Sequence, residues 1–267
     1  MNSSCSRPPA SKDRLVQAED ILSGEVSSQD PEKIFTNFLK IILQDAALPA
    51  NLSLSLQKTA AENPAFILDL LAILEGDPML RLLVDKQHPL PEGYEPEDLT
   101  ELKGGSYGIS RRGLMLREAA AAALVEMAAA ARVEGITLTA SSTYRSYTYQ
   151  VEVYDRNVRE LGRETADRES ARPGYSQHQT GLVVDFGSID NSFAETRAGR
   201  WMLSNGSRFG WSLSFPDGYE EVTGYRWESW HYRYVGRDLC EFIDTYFGGI
   251  QQYALQFIYA WEQAEGS

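Results

Sequence analysis

Cysteine is nearly absent: Cys5 and Cys240 are the whole supply. Two thiols this far apart build neither a disulfide framework nor a Cys-rich structural zinc site. Cysteine nucleophile chemistry is disfavoured too, because Cys5 lies in a Ser/Pro/Lys stretch and Cys240 sits beside Leu239 and Phe242, where packing suits a thiol. Basic charge is short as well. Against 38 Asp and Glu the chain sets 25 Lys and Arg, for a net charge of −13. No basic stripe is present, which argues against nucleic acid as a partner. A single arginine aimed at a substrate carboxylate stays compatible with that balance. No apolar run is long enough to span a bilayer. No apolar h-region follows Met1, so no secretory signal is legible. Cys5 keeps two readings: a lipidated cysteine that anchors the chain, or an incidental thiol in an ordinary terminus. Histidine is scarce, with only His88, His178 and His231, and that scarcity makes their surroundings informative.

What is present fits a globular chain. Apolar residues make up 43% and charged residues 24% of 267 positions, enough for one or two domains. Residues 1–30 read as a flexible polar tail. Residues 31–77 read as a helical extension: Ile34, Phe35, Phe38, Leu39, Ile41 and Ile42 recur at helical spacing, and further helices fit 53–62 and 64–74. From Met79 the texture shifts. Leu80, Leu82 and Val84 alternate with Arg81, Leu83 and Asp85, as in a short strand. The Ala-rich stretch from Arg117 to Arg132 predicts the strongest helix, stopped at Gly135. Strands are expected at 136–140, 182–186, 211–215 and 228–235, with helices at 147–161, 195–205, 237–246 and 250–264. Strands scattered among helices without a regular strand–helix repeat indicate an α+β fold, with a central mostly antiparallel sheet flanked by helices.

Two segments carry candidate chemistry. In 182–186, Leu182, Val184 and Phe186 share one face, so Asp185 points to the other. A carboxylate in such apolar company is costly to bury unless it is paired or bound to a cation. His178 lies seven positions earlier, just after the Arg172-Pro173-Gly174 turn. The second segment, Trp227 to Gly236, sets Glu228 and His231 three apart among aromatics. A straight strand would put those two on opposite faces, so either the chain bends near Ser229 or Glu228 precedes the strand. The plain alternatives are a surface Asp185 beside a surface histidine, and a hydrogen-bonded core His231 with Glu228 solvated at the rim. Two histidines and one aspartate would suit a catalytic zinc, which keeps its fourth position open, and a nearby glutamate could move the proton. Arg145, where a strand gives way to a helix, could reach a carboxylate or an oxyanion.

These pieces together resemble the VanY-type D-alanyl-D-alanine carboxypeptidases, a family of zinc peptidases. The resemblance runs over roughly 79–236. Its parts are Leu82 to Pro91, Tyr144-Arg145-Ser146-Tyr147 with Gln150, Arg172 to Gly181 with Asp185, Phe209-Gly210-Trp211, Thr223-Gly224, and Glu228 to Gly236, all in the family's order. It implies one Zn2+ per chain held by His178, Asp185 and His231, with Glu228 as general base and acid. It implies that Arg145 stabilises the polarised carbonyl or holds substrate, and that Gln150 and Ser176 lie near the substrate's terminal carboxylate. His88 would be structural. The zinc peptidase domain would then cover 78–267, and the substrate would be peptidoglycan stem peptides at the bacterial cell envelope, periplasmic or otherwise extracytoplasmic. The expected reaction is D,D-carboxypeptidase removal of the terminal D-alanine. The alternatives are an L,D-carboxypeptidase acting on tetrapeptide stems and a non-catalytic peptidoglycan-binding protein that retains the metal. Three positions depart from the family's habit: Gln177 stands where Glu is frequent, Ser229 where Pro is, and Phe215 where a tyrosine often precedes the proline of the turn.

Overall fold

A computed structural model describes residues 31–91 and 93–265. The tail expected over residues 1–30, with Cys5, lies outside the described residues. Among those described, no helix is long and apolar enough to cross a membrane. The chain divides into two compact units, one containing 31–78 and 256–265, the other 79–255.

The first unit is helical. It holds α1 (Pro31–Asp45), α2 (Ala50–Glu62) and α3 (Ala65–Glu75). Leu39, Ile42, Leu43, Leu56, Phe66, Ile67 and Leu70 are buried. Phe38 meets Trp261 edge-on at 5.1 Å between ring centroids, and Phe66 packs near Phe257 at 5.9 Å. These contacts need ring geometry as well as apolar area, which adds to the stability of a small core.

The second unit carries two sheets. A small antiparallel pair joins β1 (Leu99–Glu101) to β3 (Met115–Arg117). The central sheet has five strands: β2 (Gly108–Ile109), β4 (Thr139–Ser142), β5 (Val183–Phe186), β6 (Trp211–Leu213) and β7 (His231–Tyr234). Their spatial order is β2-β4-β5-β7-β6, and only the β2–β4 pair is parallel. The α+β architecture with a mostly antiparallel sheet is the one the sequence predicts. One face of this sheet is the core. Val184, Phe186 and Tyr232 point into it from β5 and β7, joined by Leu182 just before β5. Helix α4 (Glu118–Val133) covers that face with Ala120, Leu124, Met127, Ala128 and Ala131, a stripe at 3.6-residue spacing. The small residues let the helix approach closely.

The strand expected over 79–85 does not form; no regular element is assigned there. Burial does not follow the alternation: Arg81, Leu83, Val84 and Asp85 are buried, whereas Leu80 and Leu82 are half-buried. The backbone partners, however, come from a side chain. Arg233 on β7 is fully buried, and its Nη2 donates to the carbonyls of Met79 (3.2 Å), Leu80 (3.3 Å) and Leu82 (2.9 Å). One guanidinium thus satisfies three acceptors that a neighbouring strand would otherwise have to meet. Burial pushes its pKa down to about 10, still far enough above neutrality to stay charged. Arg233→Leu leaves those carbonyls without their donor. The expected loss is about 2–3 kcal/mol in urea denaturation, and an unchanged midpoint would show that the segment 79–82 does not depend on Arg233.

Candidate active site

The polar face of the central sheet builds the site. Asp185 on β5 lies directly opposite His231 on β7 in an antiparallel register. Directly opposed residues project to the same side of a sheet with their Cβ atoms about 5 Å apart. Register alone therefore brings a carboxylate to an imidazole, and Asp185 Oδ1 stands 3.1 Å from His231 Nδ1. His178 arrives from a different kind of element, the short 3₁₀ turn Gln177–Thr180 that follows the Pro-Gly loop. Gly181 ends this turn at φ 70°, and a Cβ there would meet Arg117 and Leu99 side-chain atoms at 3.0 Å. Glycine is required at that bend both for its backbone angle and for its lack of bulk. His178 Nε2 then lies 3.3 Å from Asp185 Oδ2. One ligand atom from each of His178, Asp185 and His231 falls within 4.8 Å of the others, and all three residues are buried.

Both imidazoles are fixed in tautomer by what lies behind them. His178 Nδ1 is 2.7 Å from the Thr143 carbonyl. A carbonyl only accepts, so Nδ1 carries the proton and Nε2 presents its lone pair to Asp185. His231 is turned the other way: its Nε2 lies 3.2 Å from Gln177 Oε1, which leaves the Nδ1 lone pair facing Asp185. Gln177 is itself held, since its Oε1 accepts from Ser214 Oγ at 2.8 Å. The result is two lone pairs and a carboxylate converging with no proton between them. His178 Nε2 and Asp185 Oδ1 are buried with no hydrogen-bond partner of proper geometry. Buried orphans of this kind are expensive, and a divalent cation would satisfy both at once. The donor set, two nitrogens and one oxygen, suits zinc.

Electrostatics agree with this reading. Burial and the nearby Arg145 hold His178 down at about 4, so it is neutral and ligand-ready at pH 7. Burial opposes ionisation of Asp185, yet contact with His178 and His231 holds its carboxyl below the usual range, a lowering that needs positive charge between them, from a proton in the metal-free site or from a cation in its place. Glu228 behaves oppositely: burial and the charge of Asp185 raise it to about 8, with Arg145 pulling the other way. Two carboxyls in one pocket with pKa values driven apart are suited to different tasks.

Glu228 precedes β7, which resolves the spacing problem. The amide of His231 donates to the Glu228 carbonyl at 3.2 Å, so a turn brings the two side chains to one side. Glu228 Oε2 stands 3.4 Å from His231 Nδ1. Arg145 follows β4 and is tied to the His178 turn by its amide, which donates to the His178 carbonyl at 3.3 Å. Its Nη1 donates to Gln150 Oε1 at 3.1 Å, and Gln150 Nε2 in turn donates to the Ala171 carbonyl at 2.7 Å.

A cleft of about 410 Å³ opens over this group. Arg145, Ser176, His178, Asp185, Glu228 and His231 line it. Gln150 does not: it is fully buried behind Arg145. Phe215 packs against His231 with ring centroids 4.7 Å apart and the rings tilted by 46°, on the cleft wall. His88 is apart from the cleft, bonded through Nδ1 to Asp85 Oδ1 at 2.8 Å, as a structural residue would be. Sequence reasoning gave no role to Gln177 or to the Thr143 carbonyl. The adjacency of Gln177 to His178 was the available signal, but its partner His231 is 54 positions away.

Comparison with known proteins places the chain among cell-wall carboxypeptidases. A family model described as "VanY: D-alanyl-D-alanine carboxypeptidase" matches residues 113–237. YodJ of Bacillus subtilis (strain 168), whose name describes a carboxypeptidase, is 36% identical over 183 residues, covering 66% of this chain and 67% of YodJ. Among solved structures, the LdcB LD-carboxypeptidase is 34% identical with a TM-score of 0.57, covering 63% of this chain and 85% of that one. The vancomycin-resistance D,D-pentapeptidase VanY in complex with Zn(II) is 30% identical with a TM-score of 0.56, covering 66% of this chain and 99% of that one.

Titration of the metal-free protein with Zn2+ against a chromophoric chelator should show one tight equivalent. His178→Ala and Asp185→Ala should abolish it. Gln177→Ala should weaken it by about 10–100-fold, the usual effect of removing a group that orients a ligand. Full-strength binding in both ligand variants would move the metal elsewhere.

Proposed function

The chain belongs to the VanY-type D-alanyl-D-alanine carboxypeptidase family, and from that membership and the site's geometry we propose that it is a zinc-dependent D,D-carboxypeptidase. It removes the terminal D-alanine from peptidoglycan stem peptides at the bacterial cell envelope. The observation that carries this reading is the pair of buried, unpartnered ligand atoms, His178 Nε2 and Asp185 Oδ1, facing His231 Nδ1 beneath an open cleft.

His178, Asp185 and His231 would hold one Zn2+. Bound there, it would supply Lewis-acid polarisation of a carbonyl and an acidified water. The remaining work falls to the chain. Glu228 accepts a proton at Oε2 during attack and returns it to the departing amine; its raised carboxyl suits the donating half, and a cation held beside it would favour the ionised form that the accepting half needs. Arg145 faces the cleft with a guanidinium braced by Gln150, and donates to the carbonyl oxygen as charge develops or to the substrate's terminal carboxylate. Gln150 therefore acts by positioning Arg145. Ser176, buried on the cleft wall, offers a hydroxyl to the same carboxylate. Phe215, which has no hydroxyl to donate, seats His231 through its ring.

Similarity to an LD-carboxypeptidase favours a second reading within the same chemistry, cleavage of tetrapeptide stems. Product masses separate the two. Incubation with penta- and tetrapeptide stems should shorten the pentapeptide by one alanine and leave the tetrapeptide intact. Chelation should abolish the reaction and added Zn2+ restore it. Glu228→Ala should retain its metal while kcat falls by about 10²–10⁴-fold, the usual reach of general acid–base help. Undiminished turnover in that variant would refute the role given to Glu228, and shortening of the tetrapeptide alone would favour the L,D reaction.

A further inference from the structure

The rim of the cleft carries charge that the chemistry described above does not use. Four arginines line it, Arg111, Arg145, Arg156 and Arg226, in a chain whose net charge is −13. Of these, Arg145 serves the reaction described above, and Arg226 pairs with Glu169 at 2.8 Å. Arg111 and Arg156 have no hydrogen-bond or ion-pair partner among the described residues. Most other described arginines do have partners: Arg117 with Asp98, Arg168 with Glu220, Arg172 with Asp167, and Arg237 with Glu126. Arg111 and Arg156 are thus two exposed guanidiniums that line the same cleft with no partner of their own among the described residues.

Their positions are set by regular structure. Helix α5 (Tyr147–Leu161) turns Tyr149, Val153, Arg156 and Asn157 onto the cleft, the i, i+4, i+7, i+8 spacing of a single helical face. Arg111 follows β2, whose edge is tied to β4 by Ser110, through its amide to the Ala140 carbonyl (3.0 Å) and its hydroxyl to the Ser141 carbonyl (3.1 Å). The acidic groups on the wall are Asp185 and Glu228 at the floor and Glu169, already paired. The rim is therefore positive and the floor is not.

We propose that Arg111 and Arg156 form a subsite for a second anionic group of the substrate, a carboxylate carried by the peptide on the N-terminal side of the scissile bond. The inference rests on the carboxypeptidase reading, because an enzyme that trims one terminal residue leaves every other substrate anion on that side. Guanidinium forks match carboxylates in shape as well as charge, so the subsite distinguishes a carboxylate from its carboxamide.

The test uses twin stem pentapeptides. One carries free carboxylates on its second and third residues; its twin carries carboxamides there. Calorimetry on the Zn2+-loaded Glu228→Ala protein, which binds without turnover, should show the acid twin binding on the order of tenfold more tightly. The preference should collapse toward unity in Arg111→Gln/Arg156→Gln and persist in Arg111→Lys/Arg156→Lys. Arg159→Gln, an exposed position on α5 outside the cleft, should leave it intact. Equal affinity for the twins, or a preference that survives the double glutamine variant, overturns the subsite. Failure of the wild-type enzyme to trim either twin would instead count against the carboxypeptidase reading, while the affinity comparison still decides the subsite.

Discussion

The pairing of Asp185 with His231 across two antiparallel strands is the constraint on which the site rests. Backbone hydrogen bonds fix the register, and register fixes which side chains face each other. A slip of one residue in β7 would send His231 into the apolar core and bring a bulky tyrosine or tryptophan to Asp185. The same alternation that turns Leu182, Val184 and Phe186 into the core turns Asp185 and His231 out of it. Core packing and site geometry are thus one property of the sheet, and α4 stabilises the site by covering the opposite face.

Around that pair the supporting contacts do one job each. The Thr143 carbonyl and Gln177 set the tautomers of the two histidines, so both lone pairs face the carboxylate. Gln150 braces Arg145 against the Ala171 carbonyl. Arg233, two residues beyond His231 on the same face of β7, gathers the carbonyls of 79, 80 and 82, so the irregular segment before His88 is held without a strand. Groups close to the metal position are buried and preorganised, while the cleft rim is exposed and charged. That division suits an enzyme whose chemistry is fixed and whose discrimination lies in outer contacts.

Much of this was legible in the sequence, for physical reasons that differ by residue. Strand alternation is local, so the outward turn of Asp185 could be read directly. With three histidines in the chain, His178 and His231 had few competitors as ligands. The Glu228–His231 spacing was ambiguous because period-two geometry forbids a shared face, and only the turn before β7 removes the conflict. The segment 79–85 read as a strand because its apolar and polar residues alternate, but burial there does not follow that alternation and the backbone partners come from Arg233, some 150 positions away. Gln177 and Thr143 were hidden for a similar reason. Their partners are distant in sequence, and hydrogen bonds of that range leave no periodic trace.

The central claim is that three side chains, brought together by sheet register and one tight turn, share a single zinc ion. Anomalous diffraction from crystals of the Zn2+-loaded protein, recorded on both sides of the zinc absorption edge, tests it most directly. The account predicts one strong peak about 2.0–2.2 Å from His178 Nε2, a carboxylate oxygen of Asp185 and His231 Nδ1. A zinc peak bound elsewhere, or none within reach of these three atoms, would contradict it.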